Sequence, residues 1–350
     1  MFKKITVIAL SVLLIASLAV GCGSPTRDTV PPANTNTPAD STPSTPPADT
    51  SGGLITVGYA QVGAESDWRT ANTISFQTTF VEENGYRLIF DDAQQKQENQ
   101  IKAIRNFIAQ EVDYIVLAPV TESGWETVLG EAKDAGIPVI LSDRMVEVTD
   151  DSLFVCWVGG NFLKEGLDGV AWLENYLKKQ GRENDDIGII HLQGTIGSSA
   201  QVGRTQGIEQ GIASHANWNL LGQQTGEFTQ AKGQEVMESF LKSVPVDSIN
   251  VVFAENDNMA FGAIDAIKAV GKVPGKDIII ISFDAVKAAF DSMIAGDMNV
   301  SVECNPLHGP RVNEIIQKLE RGESVEKIQY VDELVYDQDN AAQELPSRLY

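Results

Sequence analysis

The chain has 350 residues and a mass of 37.9 kDa, with 26 Lys and Arg against 48 Asp and Glu, a formal net charge of −22. Hydrophobic residues make up 43% and charged residues 21%, as in a globular protein with an ordinary core built as one large domain or two medium lobes. A sequence pI near 4.4 excludes nucleic acid as a main ligand, because binding a polyanion requires a basic surface that releases counterions. Three cysteines (Cys22, Cys156, Cys304) and three histidines (His191, His215, His308) lack the spacing of a CxxC pair or a zinc motif. No disulfide framework, metal site or cofactor is expected.

Lys3 and Lys4 precede an apolar run from Ile5 to Val20 and then Gly21-Cys22, the pattern of a secretory signal. At 16 residues the run falls short of the about 20 that a spanning helix takes. The string LAVGC resembles a bacterial lipobox, with Ala19 where leucine is preferred. That resemblance implies removal of residues 1–21 and lipidation of Cys22, which anchors the chain to the membrane. Gly23 to Gly53 holds 7 of the 14 prolines, 7 threonines and 4 serines, with no aromatic residue. Such a segment cannot bury a core, so residues 22–53 are expected to be a disordered, lipid-anchored tether.

From Leu54 onward, apolar β-branched runs alternate with helical periods. The predicted strands are Ile55–Ala60, Arg87–Phe90, Tyr114–Ala118, Pro138–Ser142, Phe154–Val158, Ile187–Leu192, Ile249–Ala254, Ile278–Phe283 and Asn299–Glu303. Amphipathic stretches such as Asn99–Gln110 and Gly124–Ala135 fall between them. Continuous apolar strands separated by helices predict an α/β protein of two doubly wound parallel-sheet lobes. In such sheets ligands bind beyond the carboxyl ends of the strands.

Polar residues gather at those ends: Gln61 and then Glu65-Ser66-Asp67-Trp68-Arg69, Ser142-Asp143-Arg144, Glu255-Asn256-Asp257, Asp284, and Arg204 beyond the strand of His191. Taken singly, each reads best as a helix cap or turn. Five such clusters in one chain favour a shared cleft. Carboxylates, guanidinium forks and amides beside aromatic rings suit a sugar, whose hydroxyls donate and accept and whose C–H face stacks on a ring.

Longer strings carry a family resemblance. GYAQVGAESDWRTA, DDAQQKQENQIKAIRNFIAQEVDYIVLAPV, GWETVLGEAKDAGIPVILSDR, LQGTIGSSAQVGR, GEFTQAKGQEVMESF and ENDNMAFGAIDAIK resemble the ribose/galactose-type sugar-binding members of the type I periplasmic-binding-protein family. The galactofuranose-binding members are the most similar. The resemblance implies a non-enzymatic, monomeric, extracytoplasmic lipoprotein, held on the outer face of the cell membrane or in the periplasm. It would capture a monosaccharide, a furanose or pentose with galactofuranose first, by hinge closure and deliver it to an ABC transporter permease.

Carried over by position, Glu65, Ser66, Trp68, Arg69, Asp143 and Arg144 would line the cleft from one lobe. Arg204, Phe228, Asn256, Asp284 and Asn305 would complete it. The resemblance also implies a three-crossover hinge near Val158–Asn161, Phe283–Asp284 and Glu303–Asn305. One lobe would then be 54–158 plus 285–303, the other 159–284 plus 304–350. Gly159-Gly160 suggests a loose hinge, because glycine adds backbone freedom. Cys156 and Cys304, both near crossings, are expected to be free buried thiols, with a hinge disulfide as the alternative.

Enzyme signals are weak. Gly271–Asp277 is one residue short of a phosphate loop and has Asp277 where Ser or Thr would bind magnesium, and Gly194–Ala200 lacks the GxSxG elbow. No histidine has an arguable nucleophile partner, and no calcium loop is present in the sequence. A Glu65/Asp143 glycosidase pair would need a separation that sequence does not give. The competing function is a sugar sensor presenting its closed complex to a chemoreceptor or sensor kinase.

Overall fold

The computed structural model describes residues 53–350. The signal segment 1–21, Cys22 and the tether up to residue 52 lie outside the described residues. Among the described residues no helix is long and apolar enough to cross a membrane.

Among the described residues, twelve strands form two six-stranded sheets. The first carries β1 (Ile55–Gln61), β2 (Tyr86–Asp92), β3 (Tyr114–Leu117), β4 (Val139–Ser142), β5 (Cys156–Gly159) and β11 (Ile328–Tyr330), in the order β11-β5-β4-β3-β1-β2, all parallel. The second carries β6 (Ile187–Gln193), β7 (Trp218–Thr225), β8 (Val251–Ala254), β9 (Ile279–Asp284), β10 (Val300–Glu303) and β12 (Val335–Asp337), in the order β12-β10-β9-β8-β6-β7. Only β12 runs antiparallel, pairing Val300 with Asp337. The nine expected strands all form. The three additional ones are edge strands, and β7 and β11 are polar and largely unburied, so they lack the apolar run that marks a central strand.

Helices cover both faces of each sheet, as buried parallel strands require. In lobe one, α1 (Asp67–Thr79) and α9 (His308–Glu320) place Phe76, Val312, Ile315 and Ile316 against Val57, Tyr59 and Val116. On its other face, α2 (Gln97–Ala109) and α3 (Glu126–Asp134) bury Ile104, Phe107 and Leu129. In lobe two, α4 (Phe162–Lys179) and α5 (Ser199–Ser214) set Val170, Leu173 and Ile208 on Ile189, Phe253 and Ile281. The far face carries α6 (Gln230–Ser243), α7 (Asp257–Ala269) and α8 (Lys287–Ala295), and the C-terminal α10 (Ala341–Glu344) packs beside α8.

The lobe boundaries differ from those expected. The chain does not change sheets at Phe283–Asp284: after α8 it returns as β10, parallel to β9 with Val300 opposite Ile281 and Glu303 opposite Asp284. This is an ordinary βαβ step on the same sheet. It then crosses at 304–307, and α9 docks on lobe one, where Gly309 N donates to Ser75 Oγ at 3.0 Å and Tyr86 Oη to Asn313 Oδ1 at 2.6 Å. After β11 pairs with β5, the last crossing at 331–334 leads to β12. Residues 285–303 therefore belong to lobe two and 304–330 to lobe one. The first change of sheet falls between β5 and β6.

Cys156 and Cys304 are both buried and free. Gly159 and Gly160 are themselves closely approached by neighbouring groups. A Cβ on Gly159 would lie 2.4 Å from the Trp157 ring and 2.6 Å from the Asp143 carbonyl, and one on Gly160 would meet the Glu333 and Glu165 carboxylates at 2.3 and 2.5 Å. Close packing demands glycine at 159, where a ring and a backbone oxygen stand in the way; at 160 the obstacles are the ends of two side chains.

His308 opens α9 in a fully buried position, its Nδ1 3.0 Å from Ser142 Oγ and its Nε2 without a partner. Burial pushes its pKa down to about 4 from the ordinary 6.5. Above pH 6.5 the ring is neutral whether folded or not; below it the unfolded chain takes the proton first. Stability should therefore fall as pH drops from about 6.5 to about 4, by about 3 kcal/mol from this group. Urea unfolding of wild type and His308→Asn across that range tests it; parallel pH profiles would refute it.

Candidate functional site

The carboxyl ends of the two sheets face each other, and the side chains that leave them converge. Glu65, Ser66, Trp68 and Arg69 follow β1, and Asp143 and Arg144 follow β4. From lobe two come Ala200, Arg204, Phe228, Asn256 and Asp284, with Cys304 from the second crossing. Ten of the eleven expected residues line this one cleft. Asn305 does not: its Oδ1 turns back to accept the Leu307 N–H at 2.9 Å, because the crossing needs a local cap before α9.

Local rules set several of these positions. Ser66 caps α1 by accepting the Arg69 N–H at 3.1 Å, and Asn256 caps α7 by accepting the Met259 N–H at 2.9 Å. Both residues are thus caps and cleft residues at once. Asn256 also donates Nδ2 to the Phe228 carbonyl at 2.9 Å, fixing that loop. Gly194 lets the Phe228 ring lie flat on the backbone, where a Cβ would stand 1.9 Å from it.

Three lining residues adopt left-handed backbone: Asp143 (φ 65°), Phe228 (φ 61°) and Asp284 (φ 106°). A non-glycine residue held there costs about 1–3 kcal/mol, which the surrounding packing must offset. Strain gathered at one cleft is a mark of function.

The electrostatics are those of a buried charge network. Arg69 pairs with Glu65 (Nε–Oε1 3.0 Å) and Asp143 (Nη2–Oδ2 2.5 Å), all almost fully buried. Burial alone would lower the Arg69 pKa, but Asp143 and Glu65 outweigh it and hold it above its ordinary value. Burial works against the Asp143 charge too, yet Arg69 and Arg144 bring its pKa below the ordinary carboxylate value. Arg144 is brought down to about 10 by burial and by Arg69, so it stays charged at neutral pH. It donates to the Val120 carbonyl at 3.0 Å and lies 5.2 Å over the Phe228 ring. Across the cleft, Arg204 sits between the Phe162 and Phe283 rings, donates to Glu165 Oε2 (2.7 Å), Asp284 Oδ1 (3.3 Å) and the Glu255 carbonyl, and so binds three segments of lobe two.

Two buried polar atoms of the cleft, Glu65 Oε2 and Arg144 Nε, have no hydrogen-bond partner. An acceptor and a donor left unmatched in a desolvated cleft are costly unless a ligand completes them. The lobes are shut on one another: Asp67 and Asn258 exchange hydrogen bonds at 3.0 and 3.3 Å, and Met145 N donates to Ser199 Oγ at 2.9 Å. The space among the lining side chains is about 20 Å³, room for about one water, so a larger ligand enters only when the lobes part. A wider depression of about 800 Å³, bounded by Trp172, Tyr176, Asn299 and Asp337, lies at the opposite ends of the strands and gathers no buried charges.

Sequence reasoning missed the supporting layer. Glu165, in the first turn of α4, sits at no strand-end turn signal, whereas Gln61, at the end of β1 where a polar residue was expected, stands behind Arg69 (Nη1–Oε1 3.3 Å). Trp68 donates Nε1 to the Cys304 carbonyl at 2.6 Å, a link between segments 236 residues apart that no local pattern encodes.

Two shut α/β lobes with a charged cleft at facing strand ends define a hinged solute-binding protein. Residues 57–309 match the family described as periplasmic binding protein domain, and the chain belongs to that family. It is 41% identical over 296 residues to the galactofuranose-binding protein YtfQ of Escherichia coli (strain K12), covering 84% of this chain and 91% of that protein. A Mycobacterium smegmatis structure in complex with β-D-fucofuranose superposes with a TM-score of 0.80 at 43% identity, over 84% of this chain and 94% of that one. The binding protein of the arabinose ABC transporter of Shewanella sp. ANA-3, bound to α- and β-L-arabinofuranose, gives 0.79 at 45% identity, over 84% and 95%.

Proposed function

We propose that this chain is the extracytoplasmic sugar-binding protein of an ABC importer, taking a monosaccharide in the furanose form. The observation that carries the reading is the cleft, in which carboxylates and three arginines from both lobes meet beside Trp68 and Phe228. Furanose specificity is supported by the three relatives named above, each described as binding such a sugar. Hydroxyls of the sugar accept from Arg144 and donate to Glu65, and the aromatic faces take its C–H surface. Because both lobes contact the ligand only when shut, the sugar stabilises the closed form, and a membrane permease reads that form. Cys22 carries the lipid that keeps the protein, as a monomer, at the membrane.

Thermal unfolding against a panel of furanose-forming sugars, pentoses and hexoses tests the reading. A ligand at 100 times its Kd adds about 2.7 kcal/mol, which raises Tm by about 5 °C or more. One monosaccharide should give that shift and be recovered unchanged, and Arg144→Ala should abolish the shift while leaving the far-ultraviolet circular dichroism intact. No shift with any sugar, or a sugar returned as product, would refute the proposal.

A further inference from the structure

The hinge holds a second cluster. Glu165 stands in the first turn of α4, Cys304 on the second crossing and Glu333 on the third. The Cys304 sulfur and one carboxylate oxygen from each glutamate lie within 4.8 Å of one another. Glu165 and Cys304 are 1% and 2% exposed. Glu165 Oε1 and Glu333 Oε1 are both buried without a hydrogen-bond partner, and both approach the Cα of Gly160 so closely that a Cβ there would touch each.

The charges around the cluster do not balance. Glu165 Oε2 is taken by Arg204, but that guanidinium is shared with Asp284 and cancels only one of the two. Glu333 Oε2 has only the Asn161 N–H, at 3.4 Å. Two carboxyls and a thiol facing one another in a desolvated pocket must either keep protons or take a cation.

We propose that Glu165, Cys304 and Glu333 form a hinge site for a thiophilic divalent cation of the zinc class. A thiolate with two carboxylates is a donor set for such an ion, whereas magnesium and calcium take six or more oxygens. Bonds of about 2.0–2.3 Å set tetrahedral ligands about 3.5 Å apart, so the donors need move only about an ångström from where they stand. Burial, reinforced by the neighbouring glutamates, pushes the Cys304 thiol up, and burial and Glu165 push the Glu333 carboxyl up to about 10. The cation must displace these protons, so its affinity rises with pH. Bound there, it ties two of the three chain crossings to the first helix of lobe two. The site is built from residues distant in sequence, which is why the spacing of cysteines and histidines does not announce it.

The test uses the full chain carrying Cys22→Ser, stripped with chelator and titrated with Zn²⁺ or Cd²⁺ alone. One metal ion per chain, a thiolate-to-cadmium charge-transfer band and a raised Tm with Zn²⁺ are expected. Cys304→Ser should remove the band, Glu333→Gln should weaken zinc at least tenfold, and Mg²⁺ should do nothing. No band in the chain that retains Cys304, a band that survives Cys304→Ser, or unchanged zinc affinity in Glu333→Gln would each overturn the site. These readouts need no sugar, so they stand apart from the importer reading.

Discussion

Arg204→Met should lower Tm by about 10 °C and abolish sugar binding, although methionine fills much of the same space between Phe162 and Phe283. Breaking a buried ion pair by removing one partner costs about 3–5 kcal/mol, because the remaining charge is stranded. Here two carboxylates, Glu165 and Asp284, lose their guanidinium together. Asp284 is already pushed well above the ordinary carboxylate value by burial, against the pull of Arg204. In the variant both groups would hold protons to still higher pH. A carboxyl with a raised folded-state pKa is neutral at no cost below its unfolded value and penalises folding as pH rises past that value. The deficit of the variant should thus be larger at pH 8 than at pH 5. Chemical unfolding at the two pH values decides it; a deficit that is equal at both, or larger at pH 5, would refute the account.

Gly159→Ala should cost about 1–3 kcal/mol and weaken sugar binding at least tenfold, whereas Gly160→Ala should cost less stability. Overpacking a close contact is destabilising in proportion to how little the neighbours can yield. At Gly159 the neighbours are the Trp157 indole and the backbone oxygen of Asp143, and the indole itself donates Nε1 to that oxygen at 2.9 Å. Neither can swing away without moving Asp143, whose left-handed backbone aims it at Arg69. At Gly160 the obstacles are the ends of two glutamate side chains, which can rotate. Calorimetry on both variants, with equilibrium unfolding, gives the comparison. Equal losses, or none at Gly159, would return the hinge to the flexible role that a glycine pair suggests on sequence grounds.

Ten of the eleven expected cleft residues were legible because parallel sheets bind at strand ends, and strand ends are written locally. An apolar run stops, and a capping or charged residue follows, as at Ser66, Asp143 and Asn256. Asn305 failed for the same local reason, since a polar residue after a strand is also what a cap looks like. Glu165 and the Trp68–Cys304 link were illegible because their partners lie on distant segments.

Local pattern in the sequence carries the α/β alternation, the nine apolar strands, the strong excess of acidic residues, and the residue types that gather at the cleft. These follow from hydrophobic period, charge count and capping chemistry, which act over a few residues. Tertiary structure alone decided which sheet each late segment joins. Strand β10 extends lobe two because β9 offers a free parallel edge, while α9 returns to lobe one because its Gly309, Asn313 and His308 find Ser75, Tyr86 and Ser142 there. It also decided that Gly159 is a packing residue, and that Glu165, Cys304 and Glu333 meet at the hinge. Sheet membership, close approach and buried charge balance depend on contacts between segments far apart in the chain, and no local pattern carries them.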